Sequence, residues 1–203
     1  MKPYLNVRTL LLVLLCSVSL SACQTAQQAP EYQYYRLLPA SVSAAQTVRL
    51  PAELGVRPLR ADGLYMERAI IFTDEQQRRL QQYHYHYWMY PPGQLIQEHL
   101  ADLLSQGRAK PVVKMSEFGG DTPYAISGRI VRFEKITIAD QAKASVTLEL
   151  SLEKKGRMLW QQTYAADEVI VGTSMTGFSA AVEGALNRIY EQFLGDLVRG
   201  KIE

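Results

Sequence analysis

Ala144-Ser145-Val146-Thr147-Leu148-Glu149-Leu150-Ser151-Leu152-Glu153 places an apolar residue at every second position and a polar one between each pair. Successive side chains leave a pleated strand on opposite faces, so one side of this segment belongs in a core and the other in water. Lys154-Lys155-Gly156-Arg157 follows, polar and holding a glycine, and residues 158–166 supply a returning strand. The pair predicts an antiparallel hairpin. Residues 124–136 predict a third strand beside it. Farther on, Phe178, Val182, Leu186, Ile189, Phe193 and Leu197 recur every three or four residues. That is the stripe of a long amphipathic helix packed on the sheet.

The earlier part of the chain carries shorter signals. Strands are predicted at residues 32–38, 48–50 and 64–72, and another at 79–88, which ends in Tyr83-His84-Tyr85-His86-Tyr87-Trp88. Aromatic residues favour a pleated, half-buried surface. Pro91 and Pro92 then break the strand. Ile96, Leu100, Leu103 and Leu104 follow at helical spacing before Gly107, which predicts a helix over 92–106 with a proline at its start. Strands and helices in this order, joined by hairpins, imply an α+β fold, with a largely antiparallel sheet and two amphipathic helices packed on one face.

The N-terminus is of another kind. Lys2 and Arg8 precede an apolar run from Leu10 to Leu20, and Leu20-Ser21-Ala22-Cys23 closes it. Positive charge, a short apolar stretch and small residues make up a secretory signal. A membrane-spanning helix needs about 20 apolar residues, and this run is shorter. Residues 1–22 are therefore predicted to be a signal peptide that is removed. The four residues ending at Cys23 resemble the lipobox of bacterial lipoproteins, which implies a diacylglycerol on the Cys23 sulfur and a palmitoyl or similar chain on its new amino group. Each buried methylene contributes about 0.8 kcal/mol, so several chains on one residue hold far more firmly than one. Gln24 stands where enteric lipoproteins retained in the inner membrane typically carry aspartate, which implies an outer-membrane address. Residues 23–31 read as anchor and flexible tether, being small, polar and without period. The folded domain is expected over 32–203.

The whole chain holds 22 Lys+Arg and 20 Asp+Glu, and both basic residues of the signal leave with it. The remainder is formally neutral and shows no long basic run, so nucleic-acid binding is not expected. Of two cysteines, Cys16 lies in the signal and Cys23 is the lipidation site, so no disulfide is available.

No catalytic constellation emerges. His84 and His86 are two apart, which on a strand places both rings on one face. A zinc site requires three or four ligands, and His99 is the only further histidine, so no metal or other cofactor is expected. Gly172-Thr173-Ser174-Met175-Thr176-Gly177 lacks glycine at 176 and so fails the nucleophile-elbow pattern. It reads as a loop in which Ser174 or Thr176 caps the last helix. Phe118-Gly119-Gly120-Asp121 is a turn cluster without the lysine and hydroxyl residue of a phosphate loop. The densest feature is Tyr83, Tyr85, Tyr87, Trp88 and Tyr90, which suits either sheet and core packing or a surface for a partner or lipid.

Several landmarks stand in a suggestive order: the lipobox, Tyr34-Tyr35-Arg36-Leu37-Leu38-Pro39, Val48-Arg49-Leu50-Pro51, a strand ending at Trp88 before Pro91, and a helix over 95–104. Together they resemble the ABC-type transport auxiliary lipoproteins. Relatives commonly show a short Arg-Pro segment before the second long strand; here residues 55–63 stand there with Arg57-Pro58, and the Tyr-His run is unusual. The resemblance implies a non-catalytic outer-membrane component that docks an MCE-domain periplasmic protein and its ABC permease in lipid transport between membranes. Self-association into a ring would suit a tubular partner. Other classes the sequence leaves open are a pilotin-like lipoprotein that binds an outer-membrane protein, and an envelope hydrolase.

Overall fold

The computed structural model describes residues 30–42, 53–106, 112–115 and 122–198. Cys23, Gln24, the strand expected at 48–50, Gly107 and the turn at 118–121 lie outside the described residues. Tyr32–Glu203 is a compact unit distinct from Met1–Glu31.

Its strands are β1 (Gln33–Tyr35), β2 (Glu53–Val56), β3 (Ala69–Thr73), β4 (Gln81–Trp88), β5 (Val112–Met115), β6 (Tyr124–Ile138), β7 (Gln141–Lys154) and β8 (Arg157–Val169). Helix α1 spans Pro92–Ser105 and α2 spans Met175–Val198. The long strands β6, β7 and β8 form two successive antiparallel ladders, and β3 pairs antiparallel with β4. Short strands join in parallel: β1 beside β4, β2 beside β5, and both β2 and β3 beside β6. The sheet is thus mixed, with antiparallel pairing confined mainly to its longest strands.

Strand β6 organises this arrangement. One edge is taken by β7 along its whole length; the other is shared end to end by β2 at Tyr124 to Ile126 and β3 at Lys135 and Ile136. Between them Arg60 bridges to Arg129, its N–H bonding the Gly128 carbonyl at 2.9 Å and its carbonyl accepting from Ile130 at 2.7 Å. The bridge carries backbone pairing into the gap between those two strands.

The alternating segment behaves as its period requires. Ala144, Val146, Leu148, Leu150 and Leu152 are at most 2% exposed, under α2 residues Phe178, Val182, Leu186, Ile189 and Phe193. Helix α1 contributes Leu95, Ile96, Leu100, Leu103 and Leu104 to the same core, so both helices cover one face. Full burial of each such side chain is worth about 1.5–3 kcal/mol. Ser174 caps α2, its hydroxyl accepting from the Gly177 N–H at 3.0 Å. Residues 64–72 are not one strand. Gly63–Met66 is a 3-10 helix that bonds within itself, Tyr65 N–H to the Asp62 carbonyl and Glu67 N–H to the Leu64 carbonyl, and ladder pairing begins only at Ala69.

The hairpin between β7 and β8 turns on Lys155 and Gly156, whose φ values are 47° and 75°. Positive φ at both central residues is the primed turn that matches strand twist, and it favours Asn-Gly. Lys155→Asn is expected to stabilise the domain by about 0.5–1 kcal/mol, because asparagine adopts positive φ more readily than lysine. A thermal melt with an unchanged or lower Tm would contradict this.

Candidate interaction surfaces

The fold assembles four polar or aromatic groupings among the described residues, and the most exposed of them is aromatic. It lies where β1 and β4 run side by side, in the register Gln33↔His86, Tyr34↔Tyr87 and Tyr35↔Trp88. Partners in register share a face. Trp88 is 1% exposed and stacks on Phe133 at 5.3 Å and Phe178 at 5.9 Å. Tyr35 and Tyr83 also pack toward that core, and the Tyr35 hydroxyl meets His86 Nδ1 at 2.9 Å. Tyr83 stacks on Phe72 at 4.4 Å, and its hydroxyl accepts from Lys135 Nζ at 3.2 Å.

The opposite face carries Tyr32, Tyr34, Tyr85 and Tyr87. Tyr32 lies 5.7 Å from both Tyr85 and Tyr87, Tyr34 lies 6.0 Å from Tyr87, and the Arg68 guanidinium sits 5.2 Å over the Tyr34 ring. Of the five residues singled out in the sequence, then, Tyr85 and Tyr87 face outward, whereas Tyr83 turns inward. Trp88 is removed from any candidate surface by its burial. Tyr90 follows the strand and lines a cavity of about 330 Å³ with Arg36, Pro39, Glu98 and Asp102. Tyr32 and Tyr34 reach this surface only through the parallel pairing of β1 with β4, and Arg68 through its bonds to Trp88.

His84 and His86 do not act as a pair. The β3–β4 register shifts between Ala69↔Tyr87 and Ile71↔Gln82, which breaks the regular alternation. His86 packs on Tyr35 and edge-on to Tyr83, while the exposed His84 neighbours Tyr85. Among the described residues, no three histidine, cysteine, aspartate or glutamate side chains gather as a metal would require.

The second grouping lies between α1 and α2. His99 is 4% exposed; its Nε2 is 2.8 Å from the Leu38 carbonyl and its Nδ1 3.3 Å from the Tyr190 hydroxyl. A carbonyl can only accept, so Nε2 carries the proton and Nδ1 accepts from the tyrosine. Burial lowers the imidazole pKa, and it outweighs the Leu38 bond and the Asp102 charge, which act to raise it. The folded state therefore binds fewer protons than the unfolded one below pH about 6.5. This contribution to stability is full above that pH and is lost as pH falls toward the depressed folded value. Thermal melts from pH 7.5 to 5 are expected to show a falling Tm, with the slope reduced in His99→Gln. An equal slope in both proteins would assign the effect elsewhere.

The third is a network on the helix-free face. Arg57 donates to Glu153 at 2.8 Å, Ser127 donates to the same carboxylate at 2.8 Å, and Ser127 and Ser151 hydroxyls meet at 2.8 Å. They border a cavity of about 400 Å³ with Arg60, Glu149 and Gln161. Glu153 is compensated by an arginine and none of the histidines joins the group. Ser127 stands beside that carboxylate, and its bonds to Glu153 and Ser151 tie strands β6 and β7 together. The fourth is Glu134, 2% exposed, which accepts from the Tyr65 phenol and lies 3.5 Å from Arg132 Nε. Burial and then the Glu134 carboxylate raise the phenol pKa, so Tyr65 stays protonated and keeps the 3-10 helix fastened to β6.

No helix of the described residues is long and apolar enough to cross a membrane. No curated protein sequence matches this chain. Among solved structures, protein XCC0632 from Xanthomonas campestris, of the DUF330 family, is similar with a TM-score of 0.70 at 17% identity, over 82% of this chain and 95% of that one. A second, an uncharacterized protein, gives 0.62 at 13% identity, over 83% and 97%. Both likenesses show the fold. A PelC dodecamer from Paraburkholderia phytofirmans reaches only 0.39 at 12% identity, over 77% and 94%, too slight to carry its assembly across. The profile that describes the ABC-type transport auxiliary lipoprotein component matches residues 35–193, from β1 to near the end of α2. A match across nearly the whole folded unit decides the matter: this chain belongs to the ABC-type transport auxiliary lipoprotein component family.

Proposed function

We propose that the protein is a non-catalytic accessory of an ABC-type system moving lipid between membranes, fixed to the outer membrane through Cys23 and holding an MCE-domain periplasmic conduit there. The observation that carries this reading is the family match over residues 35–193. Two sequence features support it independently. Leu20-Ser21-Ala22-Cys23 supplies an anchor, and Gln24 follows that anchor in place of aspartate. The domain's role would be geometric: it binds and positions, and the permease supplies the energy of transport. Copies of the domain could then surround a tubular partner.

Affinity purification of the intact protein from crosslinked native membranes tests this. Recovery of an MCE-domain protein with its permease is the expected result. Recovery of an outer-membrane assembly protein alone would replace the proposal with the pilotin-like reading. Sucrose-gradient fractions should place the protein with outer-membrane markers, and co-migration with the inner membrane would overturn the address read from Gln24.

A further inference from the structure

The geometry points to Tyr32, Tyr34, Tyr85, Tyr87 and Arg68 as a membrane-contact face, which seats the domain on the phospholipid headgroups of the leaflet that holds its anchor. This inference rests on the reading of Cys23 as lipidated. Tyr32 is 61% exposed, Tyr34 53% and Tyr85 39%, and all three belong to one continuous aromatic surface. Among the described residues their hydroxyls meet no protein partner, while the Tyr87 hydroxyl donates to the His84 carbonyl at 2.9 Å. Arg68 is held in place by its Nε, which donates to the Trp88 carbonyl at 3.1 Å, so the remaining guanidinium donors are left over the tyrosines. Rings with polar tips beside a fixed cation match the headgroup layer, where tyrosine is enriched and a phosphate accepts from both hydroxyl and guanidinium.

What chooses the membrane over a protein partner is the length of chain between anchor and surface. Cys23 stands nine positions before Tyr32, and Tyr32 is itself part of the patch. Nine residues span at most about 30 Å when extended. A coil of nine residues averages roughly 17 Å from end to end. That is less than the diameter of a domain this size, whose radius of gyration alone is about 16 Å. A tether shorter than the body it holds keeps its exit point near the bilayer, so the surface around Tyr32 is the one brought to the headgroups. Strand β1 lies at the edge of the sheet and leaves this surface uncovered by either helix.

The test uses the mature lipidated chain in phosphatidylethanolamine and phosphatidylglycerol vesicles, with and without phospholipid brominated near the headgroup. Tyr85→Trp places a reporter in the patch, and Met158→Trp places one at the opposite edge of the sheet, where Met158 is 55% exposed. Trp88 and Trp160 give the same background in both proteins. Bromine is expected to lower the emission added by Trp at 85 at least about twofold and to leave that added at 158 unchanged, as an interfacial aromatic requires. Adding Arg68→Glu should restore the emission at 85. Co-flotation with the vesicles reads the anchor separately. A chain that floats but shows no quenching at 85, or equal quenching at both sites, overturns the membrane face while sparing the anchor. The tyrosines would then belong to a protein partner. A chain that does not float removes the lipidation reading and this inference with it.

Discussion

Trp88→Ala is expected to lower the stability of the domain by about 3–5 kcal/mol. The indole is buried among Phe133 and Phe178, joining the end of β4 to β6 and to α2, so its removal opens a void at the meeting of three elements. Urea denaturation should show a much lower midpoint with an unchanged slope. Tyr85→Ala, three positions earlier on the outward face, should stay within about 0.5 kcal/mol of the parent. The contrast bears on function. A Trp88 variant that fails to hold its partner has lost its fold, whereas a Tyr85 variant reports on the surface itself. A loss below about 1 kcal/mol for Trp88→Ala would show that the aromatic core closes over the gap.

Gly93→Ala should be nearly as costly, for a reason of space. A methyl group at Gly93 would stand 2.2 Å from the Leu59 carbonyl oxygen, which belongs to rigid backbone that cannot swing aside. The first turn of α1 lies directly on the segment after β2, and the Leu59 N–H donates to the Gly93 carbonyl at 3.2 Å. Overpacking costs about 1–3 kcal/mol, and loss of the bond adds about 1 more. Gly63→Ala is the useful comparison. Gly63 has φ +57° but open space around its missing side chain, so only the backbone strain of about 1–2 kcal/mol applies. Equal melting temperatures for the two variants would count against the close approach of α1.

The hairpin and both helices were legible in the sequence because their signals are local. Alternation from Ala144 to Leu152, the glycine at 156 and the apolar stripe from Phe178 to Leu197 each act within a few residues of themselves. Parallel pairing of β1, β2 and β3 was not legible. Those strands are three to five residues long, and what fixes them is a neighbour far along the chain. The aromatic surface was legible only in part, for the same reason. The five aromatics around Tyr87 lie close in sequence, yet plain alternation turns Trp88 inward and the irregular register of β4 turns Tyr83 the same way. Tyr32 and Tyr34 join from β1 through a ladder that no local pattern announces. The family landmarks, by contrast, needed only residues in the right order.

The shared edge of β6 also has a kinetic meaning. The chain is synthesised from its N-terminus, so Leu54, Val56 and Ile70 exist well before the strand that Leu54 and Val56 must pair with, and Leu54 waits for Tyr124. Ladders between distant segments form slowly, because loop closure is paid in entropy before any contact is gained. The hairpins of β6, β7 and β8 can assemble from neighbours, and they then offer β2 and β3 a template. A nascent chain stopped after α1 would therefore carry apolar strands with bare edges and no core to close on, the state most prone to aggregate. Such a protein gains from a holdase that shields its first hundred residues until the last hundred arrive.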